Sequence, residues 1–586
     1  MPTLHWIGKD KVFNHHLDVP FRVLEHSYGF DQGTQIESET KSGNKIIHGD
    51  NLDALKALLP EYEGRIKCIY IDPPYNTGKT GWVYNDNVNH PQMKKWIGEV
   101  VGGEDEDLTT HDKWLCMMVP RIQLLKKLLQ KDGLLFISIN DTEVGNLRLL
   151  CDEIFGRRNL ITQLIWNSEG NTDNQFEIKV NHEYILCYVS DVNYKSQAIG
   201  KVIDHNTRED SNLWKGIADN NINKNSPANP PDVIELPKGF PCTEKELFYA
   251  AKVLDDNFFE ITKKEKFISD AVKKKYSIEH LSGLPIKLDD MEVSDFKLVK
   301  PCRIYGGFAN RKKLDQFIKS GLHPIIEKNS PMEFYLNRNA AVRYRKKNET
   351  PQNILSVLRN FGTTEKMRTE LKKLGIRFDY PKPMELIKYL ISIGASPHDS
   401  IILDSFAGSG TTGHSVIKLN QEDGGNRKFI LIQLDEIDKE GNPYNVAEEI
   451  TSKRIKKVIG EMSLFNSVGF DYYEIGQPLF NEDGSLNENV GEEKIRNYIF
   501  YTETKTPLKE TKNKDNKYFL SKHNDTVYYF NYEAGRVTTL SHEFLSTITT
   551  KGEQYIIYAD HCVLTLEFMS KRNIVFKKIP RDITRF

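Results

Sequence analysis

The sequence has no cysteine pair at C-x-x-C spacing and no cysteine–histidine cluster at zinc spacing; its seven cysteines are scattered. That argues against a disulfide framework and a structural zinc module, and it fits reduced thiols in a cytoplasm. No apolar run is long enough to cross a bilayer, and "MPTLHWIGKDKVFNHH" at the start lacks the apolar core of a signal peptide. There is almost no net charge, −2 overall, which neither demands nor forbids nucleic acid, because a basic groove can be balanced elsewhere. Internal repeats and long low-complexity tracts are missing too. What remains is an ordinary globular composition, 39% hydrophobic and 28% charged, spread over 586 residues. That length exceeds one core and predicts two to four domains.

The first ~40 residues are mixed and aromatic, an extension packed on the α/β region that begins after them. From Asn44 the pattern is α/β. "NKIIHGD" reads as a strand ending at Asp50, and "NLDALKALLP" as a helix closed by Pro60. "RIKCIYID" is the next strand. "WLCMMVPRIQLLKKLLQKDG" is a long amphipathic helix closed by Gly133, followed by strands "LLFISIN" and "HEYILCYV" around a second helix. Beyond residue 200 the alternation breaks. "IADNNINKNSPANPPDV" is rich in Asn and Pro and reads as a loop. Three basic runs come next, Lys273–Tyr276, Arg311–Lys313 and Arg343–Lys347, two with a tyrosine. Each reads singly as a solvated face; together they weigh equally toward a nucleic acid contact. Alternation returns with "PMELIKYLISIG", "SIILDSFAGSGTTGHSVIKL" and "RKFILIQLD". After residue 465, short aromatic strands such as "TVYYFNY" and "QYIIYADH" suggest a small separate C-terminal domain.

Two strand tips carry chemistry. "CIYI" is a short buried strand, and Asp72-Pro73-Pro74-Tyr75 ends it abruptly. Proline cannot donate to a ladder and fixes its own φ, so a carboxylate and an aromatic ring are held rigidly at the strand's C-terminal edge. In open α/β sheets ligands bind at that edge. The second tip is "ILDSFAGSGTT", in which a strand delivers Asp404 and a turn of small residues leads into a helix. Small residues let backbone approach a ligand. The spacing is not G-x-G-x-x-G, and no lysine follows the last glycine, so a phosphate cradle is disfavoured. An acid beside such a loop suits a ligand bearing an ammonium group.

"DPPY" followed downstream by "DxFxGSGTT" resembles the amino-methyltransferases of DNA, in the beta-class order with the catalytic tetrapeptide first. "GDNLDALKAL", "IYIDPPYNTG", "HEYILCY", "FDYPKP" and "EEKIRNYIFYTET" extend the likeness. They resemble the modification subunit of Type III restriction-modification systems over nearly the whole chain, least in the insert after residue 200. The resemblance implies a Rossmann-like S-adenosylmethionine-dependent methyltransferase sheet in circularly permuted order. Its expected divisions are an N-terminal extension (1–43), a catalytic half (44–200) and a target recognition insert (201–350). A cofactor half (351–465) and a C-terminal α+β domain (466–586) complete the chain.

By the same resemblance, Asp72, Pro73, Pro74 and Tyr75 are catalytic. Asp72 and the Pro73 carbonyl would accept hydrogen bonds from an exocyclic amino group, and Tyr75 would stack on a base flipped out of the duplex. Asp404, Phe406, Gly408, Gly410 and Thr412 would hold the methionine end of S-adenosylmethionine. Asp50 would lie near its adenine, and Lys382 with Pro383 would close the pocket. Gln433 stands where many relatives have a ribose-binding glutamate, with Asp435 or Glu436 as substitutes. No metal is required. Asp rather than Ser at position 72 favours adenine N6 over cytosine N4. The implied partners are double-stranded DNA, a second copy of the chain and a helicase-nuclease subunit. A solitary methyltransferase, or a recognition subunit with a decayed catalytic site, are the alternatives.

Overall fold

The computed structural model describes residues 3–76, 110–168, 180–209, 211, 214, 216–278, 283–327, 330–347, 352–395, 398–437, 442–461, 468–508 and 516–580. The chain divides into two compact units, Met1–Gly200 with Ser356–Phe586, and Lys201–Leu355.

The first unit is organised by an eleven-stranded sheet. Its strands, in chain order, are β1 (Arg22–Asp31), β2 (Thr34–Ile36), β3 (Lys45–His48), β4 (Ile66–Ile71), β5 (Leu129–Ile139), β6 (Leu160–Asn167), β7 (His182–Val189), β8 (Val357–Leu358), β9 (Ile401–Asp404), β10 (Lys428–Gln433) and β11 (Gly469–Pro478). Their spatial order is β8-β6-β7-β5-β4-β9-β10-β3-β11-β1-β2. From β5 through β11 the neighbours run parallel. β7 lies antiparallel to β5. This is a Rossmann-like α/β sheet with helices α1 (Asn51–Tyr62), α2 (Thr110–Leu128), α3 (Val144–Cys151), α4 (Met384–Gly394), α5 (Thr411–Asp423) and α6 (Lys453–Gly460). β4 is buried at all six positions, as expected of a parallel strand covered on both faces. Its one charge, Lys67, is neutralised by Asp132 at 2.7 Å.

Several element boundaries differ from the sequence reading. Pro60 does not end α1 but lies inside it, and the helix runs on to Tyr62. α2 stops at Leu128, and Gly133 lies within β5. There β5 shifts register against β4 between Ile66 and Cys68. A Cβ on Gly133 would come within 3.0 Å of the Ile66 carbonyl, so this glycine serves close strand approach and not a helix cap. The segment Gly469–Pro478, expected in a separate C-terminal domain, pairs with β3 and β1 in the main sheet. Beyond it, α7 (Glu492–Thr504) precedes a four-stranded sheet of β12 (Phe519–His523), β13 (Thr526–Phe530), β14 (Gln554–Ala559) and β15 (Ile574–Lys578).

The second unit is built of short sheets around a core that includes Phe240, Phe317 and Phe334. The Asn- and Pro-rich stretch expected as a loop contributes a strand, Ile217–Asn221, which pairs with Val342–Lys347. Each of the three basic runs has a local acidic partner. Arg343 meets Asp219 at 2.8 Å, and Arg311 meets Asp315 at 3.0 Å. Lys273 pairs with Asp270 at 2.7 Å at an exposed site.

Candidate active site

Adjacent strands β4 and β9 carry the two motifs. Their register, Ile402 beside Cys68 and Leu403 beside Ile69, brings Asp72 and Asp404 to the same sheet edge. Between them opens a cavity of about 360 Å³ lined by Asp72, Pro73, Pro74, Tyr75, Lys382, Asp404, Phe406, Gly408 and Thr412, among others. Nine of the residues singled out from sequence therefore share one cavity, while Asp50, Pro383, Gly410 and Gln433 do not line it.

The tetrapeptide is anchored from behind. The indole N–H of Trp114, on α2 and fully buried, donates to the Pro74 carbonyl at 2.6 Å. Asn76, at φ 59°, donates to Glu143 at 2.7 Å. In front, the Lys382 ammonium reaches both Asp72 carboxylate oxygens, at 2.9 and 2.8 Å, and the Tyr75 hydroxyl at 2.9 Å. It also lies 3.3 Å from Glu183 and 5.0 Å from the centre of the Tyr75 ring. The Tyr75 hydroxyl is within donating distance of Asp72 (2.7 Å) and Glu183 (3.0 Å). Burial and these two carboxylates push the Tyr75 hydroxyl well above its ordinary range. Burial opposes charge on Lys382, but Asp72 and Glu183 outweigh it and hold the ammonium above its ordinary value.

Glu183 is the residue that sequence reasoning missed. "HEYILCY" reads as a strand, but the strand's direction decides what its acid does. β7 runs antiparallel to β5, so its first residues lie at the edge where the parallel strands end. An acid at the start of an otherwise apolar strand was the available signal. Asn140, one residue past β5, also lines the cavity.

On the loop side, Asp404 is buried. Its carboxylate accepts from the Phe406 N–H at 3.0 Å and from the Thr412 hydroxyl at 2.5 Å. Among the described residues no cation lies within ion-pair distance of it. Burial pushes its carboxyl up to about 7, with the two hydrogen bonds opposing. Gly408 and Gly410 both have positive φ, 49° and 76°, which residues without Cβ tolerate. Gly408 N–H donates to the side-chain oxygen of Gln433 at 2.7 Å, and the Gln433 amide donates to the Leu434 carbonyl at 3.0 Å. Gln433 thus fastens the loop from beneath with both ends of its side chain engaged.

Asp50 caps α1 by accepting from Leu52 N–H at 2.7 Å, and it pairs with buried Arg121 at 3.2 Å. Of the acids after β10, Asp435 pairs with His48 at 2.7 Å. Glu436 is buried and, among the described residues, its Oε2 has no hydrogen-bond partner. Burial pushes its carboxyl well above the usual range. The cavity side of this edge fits a ligand with an ammonium group facing Asp404, as in the amino-acid part of S-adenosylmethionine, while Glu436, a buried acid with an unpartnered oxygen among the described residues, does not line the cavity.

The model of a DNA methylase family matches residues 66–440. The chain is 34% identical over 462 residues to the Type III restriction-modification enzyme EcoPI Mod subunit of Escherichia phage P1, covering 72% of this chain and 63% of that protein. It is 30% identical over 473 residues to the StyLTI Mod subunit of Salmonella typhimurium, covering 76% and 62%. It is also 30% identical over 451 residues to the EcoP15I Mod subunit of Escherichia coli, covering 72% and 64%. The chain therefore spans less than two thirds of the length of each of these relatives.

Proposed function

The chain belongs to the DNA methylase family, and from that premise we propose that it methylates the N6 amino group of adenine in double-stranded DNA, using S-adenosylmethionine. The observation that carries this reading is the meeting of Asp72-Pro73-Pro74-Tyr75 with the Asp404 loop in one cavity. One strand tip offers hydrogen-bond acceptors for an amino group, and the neighbouring tip offers an acid for an ammonium. When bound, S-adenosylmethionine supplies an electrophilic methyl group.

The rest is the work of the chain's own residues. The lone pair of an exocyclic amino nitrogen is delocalised into the base. Acceptors that take its N–H hydrogens favour the pyramidal form, whose lone pair is available. Asp72 is one such acceptor and the Pro73 carbonyl the other. Trp114 fixes the Pro74 carbonyl, so the tetrapeptide is held before any ligand arrives, which is electrostatic preorganisation. To engage the amino group, Asp72 shares its oxygens with Lys382, and Glu183 is placed to keep the ammonium. A base reaches these groups only outside the stack, hence by flipping. Glu436, rather than Gln433, is the acid left for the ribose hydroxyls, since the Gln433 side chain is engaged at both ends.

The similarity to Type III Mod subunits supports a role as the modification and recognition subunit of such a system, with Lys201–Leu355 as the target-reading unit. A second copy of the chain and a helicase-nuclease subunit are the proposed partners, acting in the cytoplasm. The decisive experiment incubates purified protein with labelled S-adenosylmethionine and unmethylated DNA, then identifies the labelled nucleoside. N6-methyladenine is the expected product. N4-methylcytosine overturns the base assignment and leaves the transfer chemistry. Absence of label from DNA, with the cofactor bound, overturns the reading of this chain as a methyltransferase in its own right.

A further inference from the structure

Arg454, the second residue of α6, is fully buried against the glycine loop. Its Nη1 donates to the Ser409 carbonyl at 3.2 Å, to Ser409 Oγ at 3.0 Å and to Thr411 Oγ1 at 2.8 Å. Its Nε and Nη2 meet His414 Nδ1 at 3.3 and 3.2 Å, and Nη2 meets the Met367 sulfur at 3.6 Å. Burial and Arg454 push the His414 imidazole down to about 3, so His414 is the neutral acceptor. Among the described residues no carboxylate lies within ion-pair distance of Arg454, and Glu370 attracts it only from further away.

Two other buried arginines of this chain carry an acid. Arg427 pairs with Asp423 at 2.7 Å and Arg121 with Asp50 at 3.2 Å. A buried cation without an anion is costly, because neutral acceptors recover only part of its lost hydration. Burial pushes the Arg454 guanidinium down to about 9, which leaves it charged near neutral pH. Among the described residues, the chain thus keeps an uncompensated positive charge on one side of the loop.

What lies between that charge and the cavity is a pair of hydroxyls. Ser409 and Thr411 both line the cavity. The Thr411 hydroxyl donates to the Lys382 carbonyl at 3.3 Å, while the Ser409 hydroxyl, which accepts from the guanidinium, keeps its own hydrogen and can turn it to Thr411 Oγ1, 3.2 Å away, or to a ligand. The N-terminus of the thirteen-residue helix α5 begins at Thr411 and adds partial positive charge. Across the loop, Asp404 is a buried acid without a cation among the described residues. A positive and a negative charge held apart by a few small residues complement a zwitterion, the form of a free α-amino acid group.

We propose that Arg454 is a positioning residue for the carboxylate of the amino-acid end of S-adenosylmethionine, acting through the hydroxyls of Ser409 and Thr411. This rests on the reading of the cavity as the cofactor site and deepens it: Asp404 takes the ammonium, Arg454 the carboxylate.

The test measures binding by calorimetry of two probes, S-adenosylhomocysteine, which carries the amino-acid group, and 5′-methylthioadenosine, which lacks it. In Arg454→Met, the affinity for S-adenosylhomocysteine is expected to fall about tenfold or more, with 5′-methylthioadenosine changed by less than about twofold. Arg454→Lys restores part of the loss. Ser409→Ala with Thr411→Val, which leaves the arginine in place, gives the same selective loss and decides the matter if the methionine variant does not fold. Equal loss for both probes, or loss for neither, overturns the proposal and leaves the cofactor reading standing. Failure of the wild-type protein to bind either probe overturns the cofactor reading, and this inference with it.

Discussion

The Lys382 ammonium lies 2.9 and 2.8 Å from the two carboxylate oxygens of Asp72, which stands 310 positions earlier in the chain. The same ammonium is 3.3 Å from Glu183. Two carboxylates and one cation leave the site with one excess negative charge, shared through the Tyr75 hydroxyl. On the proposed reading, the acceptor for an amino group is therefore already occupied, and the partner that can relieve it is Glu183.

Asp72→Ala removes that acceptor. Methyl transfer to DNA is expected to fall on the order of a hundredfold or more, the scale of losing one preorganised polar contact. Binding of S-adenosylhomocysteine stays near the native value, because Asp72 belongs to the other side of the cavity. Single-turnover transfer and calorimetry on the same preparation separate the two. Parallel loss of both would place Asp72 in cofactor binding.

Glu183→Gln removes the second hold on the ammonium and strengthens its attachment to Asp72. The expected result is a drop in kcat of about tenfold at unchanged cofactor affinity, the scale of weakening one charge-assisted contact. Lys382→Met acts in the opposite sense. Without the cation, both Asp72 oxygens are released from the ammonium that holds them. An unchanged kcat in Glu183→Gln would remove Glu183 from this circuit.

The two strand tips were legible in the sequence because their signals are local. A buried run stopped by two prolines, and an acid followed by small residues and a helix, each specify their own geometry. The α/β class followed from the alternation of such segments, and the Rossmann-like sheet from the resemblance those motifs carry. Contacts set by strand order were not legible. β4 and β9 are neighbours in space although the second unit intervenes in the chain. The role of Glu183 depends on β7 running antiparallel, and the burial of Arg454 depends on α6 packing against the glycine loop. Gly133 misled for a related reason: a glycine after an amphipathic run signals a helix end, but here it answers the approach of the Ile66 carbonyl. The strand Gly469–Pro478 read as part of a separate domain because its partners lie in β3 and β1, far away in sequence.

Trp114→Phe keeps a buried ring and removes one hydrogen bond, to the Pro74 carbonyl. Leaving a buried carbonyl without its donor costs about 1–3 kcal/mol. A destabilisation of that size in chemical denaturation is expected. The loosened tetrapeptide should lower kcat more than it changes the KM for cofactor. Loss of stability with kcat unchanged would mean that the rings of Pro73 and Pro74 hold the tetrapeptide and that it needs no anchor.

On the proposed reading, Asp404 makes cofactor binding tighter as pH rises through its own titration. Burial raises its carboxyl to about 7, so below that pH the ligand-free site is mainly protonated and neutral. An ammonium binds the ionised form better, and binding therefore expels a proton. Affinity rises with pH between about 5.5 and 7, by at most about tenfold per pH unit for one linked proton, and levels off above. The unpaired acid also makes the empty fold less favourable once ionised, so the cofactor stabilises the protein more at pH 7.5 than at pH 5.5. Asp404→Asn should weaken binding at pH 7.5 and flatten the dependence. Calorimetry of S-adenosylhomocysteine at three pH values in two buffers of different ionisation enthalpy counts the proton directly. A native profile as flat as that of the variant, with equal affinity in the two proteins, would mean that the ammonium is held elsewhere.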